Sequence, residues 1–231
     1  MPVNVKGLIV VLFLSALVFA LGKRTALHFM EEEDFKRRRN IWLILSAAAF
    51  LSQSFWLFSL VAVPILYWGG KKDTHPLAFY LLLMNVIPAI PVPIPTNGLG
   101  INQLFNLDIL RLLSLCVLVP TAWRIHKSPD PNRIHGVRGM DLLVLGFGAL
   151  KVALYVPPDL PNHVILHTSF TNNVRDALLY LIDIYVLYYV ASRSASSTRV
   201  IRDALAAFCL SCTIMACVAL FETLKHWLLY T

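Results

Sequence analysis

A succession of long apolar runs, each closed by a short charged or proline-rich break, limits this chain to one kind of fold. The runs cover residues 6–22, 41–68, 76–90, 107–123, 139–156, 175–191 and 203–224. A helix needs about 20 apolar residues to cross a hydrocarbon core of roughly 30 Å, so most of these runs are on the scale of a membrane span. Only 14% of the 231 residues are charged and 58% are apolar, with a mean hydropathy of +0.67. A soluble domain carries roughly a quarter of its residues as charges, so a soluble globular fold is excluded. The expected fold is all-α, a polytopic transmembrane bundle of about seven or eight crossings. The net charge of +7 does not point to nucleic acid, because the Lys and Arg residues sit in short clusters between apolar runs, as cytoplasmic loops do.

Residues 1–40 form an N-terminal unit. The run at 6–22 reads as an uncleaved first span rather than a signal peptide, since no small-x-small site precedes the charged stretch. That stretch, 23–40, carries Lys23, Arg24, Lys36, Arg37, Arg38 and Arg39 around Glu31, Glu32, Glu33 and Asp34. It predicts a short surface helix at the cytoplasmic face, either a topology signal or a contact for anionic lipid heads.

Residues 41–231 form the polytopic domain. The first run, 41–68, would be about 42 Å long as one helix, more than one crossing needs. Loop charge chooses between one tilted helix and two short ones. A single crossing would put the basic loop 124–138 outside. A hairpin turning at Ser52-Gln53-Ser54 puts 70–75, 124–138 and 193–202 inside, and leaves 91–106 and 157–174 outside, which obeys the positive-inside rule. The hairpin is therefore expected, giving eight crossings with both ends outside.

The stretch 85–125 carries the most local information. Pro88, Pro91, Pro93 and Pro95 remove backbone donors and push their predecessors out of the helical region, predicting extended chain over 88–96. Asn97-Gly98 and Gly100 supply turn chemistry. Arg111 follows Asp108 by three residues, which places both on one face of a helix. This Arg could hold a phosphate in two-point fashion, or the pair could lock the loop.

Ionisable groups at membrane depth cost at least roughly 2.5–3.5 kcal/mol each at the bilayer centre, so they tend to have partners. Lys151 is read first as snorkelling to the interface on its long stem; Asp183 lies mid-run, cannot snorkel and calls for a partner, for which Lys151 on the preceding antiparallel helix is one candidate. A structural pair is favoured over a proton relay. Arg175 stands beside Asp176, as Arg111 stands near Asp108, and a local pair explains each of them as well as a substrate contact does. Glu222, near Lys225 and His226, reads as interfacial. His163 and His167 have a metal-compatible spacing but no completing Glu, so no metal is expected. Cys209 and Cys212 fall inside an apolar run and read as small hydrophobes, as do Cys116 and Cys217. No nucleotide loop, nucleophile elbow or zinc pattern occurs, so no catalytic constellation is legible.

The segments FWLFSLVAVPILYW (55–68), HPLAFYLLLMNVIPAIPVPIP (75–95), GINQLFNLDILRLLSLCVLVPTAWR (100–124), SFTNNVRDALLYLIDIYVLYYVASR (169–193) and LAAFCLSCTIMACVALFETLKHWLLYT (205–231) together resemble the N-terminal half of bacterial O-antigen ligase-like proteins. The branch they look most like is the O-glycosylation ligase-like group found with exosortase systems. The resemblance implies an inner-membrane glycosyltransferase fold that takes a glycan from a polyprenyl-diphosphate carrier on the periplasmic side, without metal or other cofactor. It also implies that the family's working His lies in an outer loop with no counterpart here, so this chain would be a scaffold half, not catalytically complete alone. Arg111 and Arg175 are the residues that would face the lipid-diphosphate pocket. Partners implied are membrane lipids, the lipid-linked glycan and a second membrane chain. The alternative is a non-catalytic subunit that packs in a larger membrane complex through Gly146, Gly148 and the Ala- and Cys-rich last helix. A small transporter ranks last, because only one proline-broken helix is found where paired repeats would give two.

Overall fold

The computed structural model describes residues 3–52, 54–85, 92–94, 105–127, 138–155, 175, 177–194 and 197–226. Among them the architecture is helical, with α1 at Val3–Ala26, α2 at Glu32–Leu51, α3 at Phe55–Lys72 and α4 at Pro76–Leu83. They are followed by α5 at Ile109–Lys127, α6 at Arg138–Tyr155, α7 at Val186–Ser194 and α8 at Thr198–Lys225. A short antiparallel ribbon joins α4 to α5, with β1 (Val92–Ile94) paired to β2 (Phe105–Leu107) and Pro93 opposite Asn106. In a two-stranded ribbon every strand is an edge, so proline is tolerated. The extended conformation expected over 88–96 is thus present at 92–94; the flanking residues, and the turn at 97–100, lie outside the described set.

The long apolar run at 41–68 divides into two helices. Helix α2 ends at Leu51, and α3 begins after Ser54, whose hydroxyl accepts from the Leu57 N–H at 3.4 Å. Such a cap satisfies one of the orphan donors of a helix start. The two helices fold back on each other: a Cβ built on Gly69, near the end of α3, would lie 2.7 Å from Ile41, near the start of the apolar part of α2. An added side chain there would force the Ile41 Cδ1 and the Phe79 ring to shift.

Chain ends then gather in a regular way. Lys23 at the end of α1 meets Glu32 at the start of α2 (3.7 Å), and Arg38 of α2 meets Asp73 just past the end of α3 (2.7 Å). Arg193 at the end of α7 meets Asp141 in the first turn of α6 (2.8 Å), and Arg199 at the start of α8 meets Glu31 (3.1 Å). Gly70 of α3 approaches Val117 of α5. The described helices therefore run alternately up and down, and the described parts of the basic segments collect at one end of the bundle.

The core lies where α4, the shortest helix, is enclosed by its neighbours: Ala78, Phe79, Leu82 and Leu83 pack with Leu112, Leu113, Leu118 and Ile214. The outward faces are apolar instead of polar. Phe13 and Leu21 of α1, Trp56 and Leu60 of α3, Leu142 and Phe147 of α6, and Leu205 and Leu220 of α8 are all more than half exposed. Monomeric soluble proteins rarely present apolar surface on that scale. Three helices, Val5–Ala26, Ile109–Lys127 and Thr198–Lys225, are long and apolar enough to cross a membrane.

Candidate functional site

At the end of the bundle away from the basic segments, α5 starts beneath the ribbon. Asp108 is its N-cap: the carboxylate accepts the Arg111 N–H at 2.8 Å, and the Arg111 guanidinium lies 3.8 Å from the same side chain. An acidic N-cap both satisfies a free donor and meets the positive end of the helix dipole. Arg111 then reaches across to the helical stretch that enters α7, where its Nε donates to Asp183 at 3.1 Å. The described partner of Asp183 is Arg111, not the candidate Lys151, which lies on α6 with its side chain outside the described set.

Two wide helical turns frame this pair. Ser114–Leu118 in α5 and Leu181–Tyr185 before α7 are π-helical, with the Val119 N–H bonded to the Ser114 carbonyl and the Val186 N–H to the Leu181 carbonyl. Pro120 supplies a local reason for the first, since its ring lacks the N–H that a regular α-helix would offer to Cys116 and crowds that carbonyl. Single π-turns of this kind are frequent at functional sites. Each inserts one extra residue; Arg111 lies just before the first and Asp183 within the second. Tyr80 of α4, buried, shares a hydrogen bond with Ser114, itself 1% exposed. The cluster is thus Tyr80, Asp108, Arg111, Ser114 and Asp183, drawn from three helical segments.

Arg175 is partly buried in the helical stretch leading to Asp183, while Asp176, His163 and His167 lie outside the described residues. Glu222 is half-buried on α8, and Cys209 and Cys212 are free thiols on the same helix. Among the described residues no group of three His, Cys, Asp or Glu side chains is placed to hold a metal. Gly148 does not form an open partner-facing surface: Tyr180 fills its place, with ring carbon Cε1 2.6 Å from where a Cβ would be, and its hydroxyl donates to the Val144 carbonyl at 2.8 Å. Gly146 has open space beside it.

A second ionic group, at the basic end, has no counterpart in the sequence reading. Arg38 is fully buried and donates through Nε and Nη2 to Asp73 (2.9 and 2.7 Å) and through Nη1 and Nη2 to Asp203 (2.8 and 3.0 Å). Asp73 also accepts the His75 N–H at 2.9 Å and faces Arg37 at 3.3 Å, and Arg37 in turn pairs with Asp34. Burial by itself would lower the pKa of Arg38; the hydrogen bonds and charges of Asp73 and Asp203 more than reverse this and raise it. One guanidinium thereby joins α2, the α3–α4 turn and α8.

No protein-family model, curated protein or solved structure matches this chain. Its chemistry has to be read from the residues themselves.

Proposed function

We propose that the chain is the scaffold part of a lipid-linked-glycan ligase of the O-antigen type. In this reading it crosses the bacterial inner membrane eight times, with the basic end of the bundle in the cytoplasm. The alternating helices, the apolar outward faces and the one-sided collection of Lys and Arg support this topology. The observation that carries the functional reading is the placement of Arg111, 17% exposed, at the opposite end from the basic segments and beside the proline-bearing ribbon. There a guanidinium can offer two parallel donors to a diphosphate entering from the periplasmic leaflet. Arg175 is the second candidate for the same contact. The chain supplies the pocket wall, and a further polypeptide or segment supplies the groups that transfer the glycan to its acceptor.

A specific observation favours a second reading. Asp108 and Asp183 already surround Arg111, so a diphosphate would have to displace or outweigh a carboxylate. On this account the cluster is a structural lock and the chain is a non-catalytic subunit, with the open side of Gly146 available to a helix of a second membrane chain.

Purification from native membranes in mild detergent, followed by mass spectrometry, separates the two. Recovery of polyprenyl-diphosphate glycan that is lost in Arg111→Ala at unchanged membrane level supports the ligase reading. Recovery of unrelated subunits without lipid-linked sugar supports the second.

A further inference from the structure

A cavity of about 600 Å³ opens at the basic end of the bundle, between the end of α5, the α3–α4 turn and the end of α7. Its charged lining is unequal. Asp73 is committed to Arg38, and Arg193 to Asp141. Arg124 and Lys127, by contrast, meet no carboxylate among the described residues: Arg124 donates to Thr121 Oγ1 at 3.3 Å, and the Lys127 ammonium sits 5.0 Å over the Trp123 ring. Two cations with no carboxylate partner among the described residues, lining a cavity of mixed polar and apolar character, favour an anion, and Thr74 adds a hydroxyl to the same lining, while the Thr121 hydroxyl donates to the Val117 carbonyl at 2.7 Å.

Beside it lies a second, mostly apolar cavity of about 400 Å³, lined by Tyr67, Cys116, Val119 and Pro120. Trp123 and Arg124 line both. A cationic chamber, the more polar of the two, thus shares a wall with an apolar groove on the outward side of the bundle. The aromatic residues at this level, Tyr67, Trp68 and Trp123, are all substantially exposed, the arrangement expected where a helix surface passes from acyl chains to headgroups. A small soluble anion would use only the first chamber, whereas a phospholipid would use both.

We propose that this pair of cavities is a binding site for an anionic phospholipid of the leaflet at the basic end, with the headgroup phosphate on Arg124 and Lys127 and one acyl chain along Tyr67, Cys116, Val119 and Pro120. The site is separate from the Arg111 cluster and is independent of any glycan chemistry; it rests only on the membrane placement of the bundle. If the chain does not fractionate with membranes, that placement itself fails.

The test is native mass spectrometry of the detergent-purified chain equilibrated with mixed micelles containing equal amounts of phosphatidylglycerol and phosphatidylcholine. Wild type retains phosphatidylglycerol in preference. Each basic residue near an anionic surface is worth about fivefold in affinity, so Arg124→Gln/Lys127→Gln reduces retention by about 25-fold. Lys36→Gln/Lys72→Gln, which removes the same charge from exposed positions at the same end, leaves it unchanged. Val119→Trp, which fills the apolar groove and touches no charge, also lowers retention, and an unchanged melting temperature shows that each variant is folded. Equal retention of the two lipids, or wild-type retention by the Arg124/Lys127 variant, overturns the proposal. Displacement of phosphatidylglycerol by millimolar sodium phosphate overturns the lipid assignment in favour of a free-phosphate site.

Discussion

Arg38 and Asp203 are 165 residues apart in the chain, and Arg38 Nη1 donates to Asp203 Oδ1 across 2.8 Å in a site sealed from solvent. Because Asp73 takes the other donors of the same guanidinium, this one side chain fastens the start of α8 to the α2–α3 hairpin. Removing one member of a buried ionic group leaves the others charged and unpaired, which costs about 3–5 kcal/mol. Arg38→Gln is therefore expected to fall to low membrane levels and to melt well below wild type in detergent. Arg38→Lys should restore little, since a single ammonium cannot reproduce donation to two carboxylates at once. Wild-type stability in Arg38→Lys, measured by thermal unfolding, would show that charge alone suffices there.

The Arg111–Asp183 contact makes a different prediction, because both groups are partly exposed and the pair is weaker. A double-mutant cycle with Arg111→Gln and Asp183→Asn is expected to give a coupling of about 0.5–3 kcal/mol in unfolding free energy. A cycle between Lys151→Gln and Asp183→Asn measures the pairing considered from the sequence against it. If the second cycle shows the larger coupling, Asp183 answers to Lys151 instead.

Much of this architecture could be read from the chain. The turn at Ser52-Gln53-Ser54 followed from loop charge, because only a reversal there keeps the later basic segments on one side. Asp108 and Arg111 declared themselves by spacing, and Asp108 proves to be the N-cap that explains it. The Arg38 group did not, for a physical reason. Arg38 stands among Lys36, Arg37 and Arg39 in a surface-like basic run, and nothing in three residues of local context distinguishes the one that points inward. Asp203, an acid in the second turn of a helix whose other residues are mostly apolar, was the available signal, but as the first residue of the run 203–224 it stands where a charge at the end of a span is ordinary. The π-turns were equally silent, because they are set by how α5 and α7 pack, and only Pro120 hints at the first.

Gly148 tests how closely α6 must approach its neighbour. Its missing side chain is replaced by the Tyr180 ring, and that ring is held by the bond to the Val144 carbonyl, so it has little freedom to retreat. Gly148→Val is expected to destabilise by about 1–3 kcal/mol, the usual cost of overpacking a tight contact. Gly146→Val, where an added Cβ meets nothing, should be tolerated within the chain. Should Gly146→Val instead remove a co-purifying polypeptide while the chain keeps its melting temperature, the open side of Gly146 is the partner contact.

The reversal at Ser54 separates two membrane topologies cleanly. If α2 and α3 form a hairpin across the bilayer, a cysteine placed at Ser54 and one placed at Lys72 face opposite sides, and the Lys72 position shares a side with Lys36. If 41–68 crossed only once, Ser54 would sit at membrane depth and Lys72 would face away from Lys36. In a background with Cys116, Cys209, Cys212 and Cys217 changed to Ala, an impermeant maleimide added to intact cells is expected to label Ser54→Cys and to spare Lys36→Cys and Lys72→Cys. Opening the membrane should then expose the latter two together. Loss of the Ser54 cap costs about 1 kcal/mol, too little to unmake a helix pair held by the fit of Ile41 against Gly69 and by the Arg38–Asp73 bridge, so labelling reports the native arrangement. Labelling of Lys72→Cys in intact cells would break the link between loop charge and helix direction on which the topology stands.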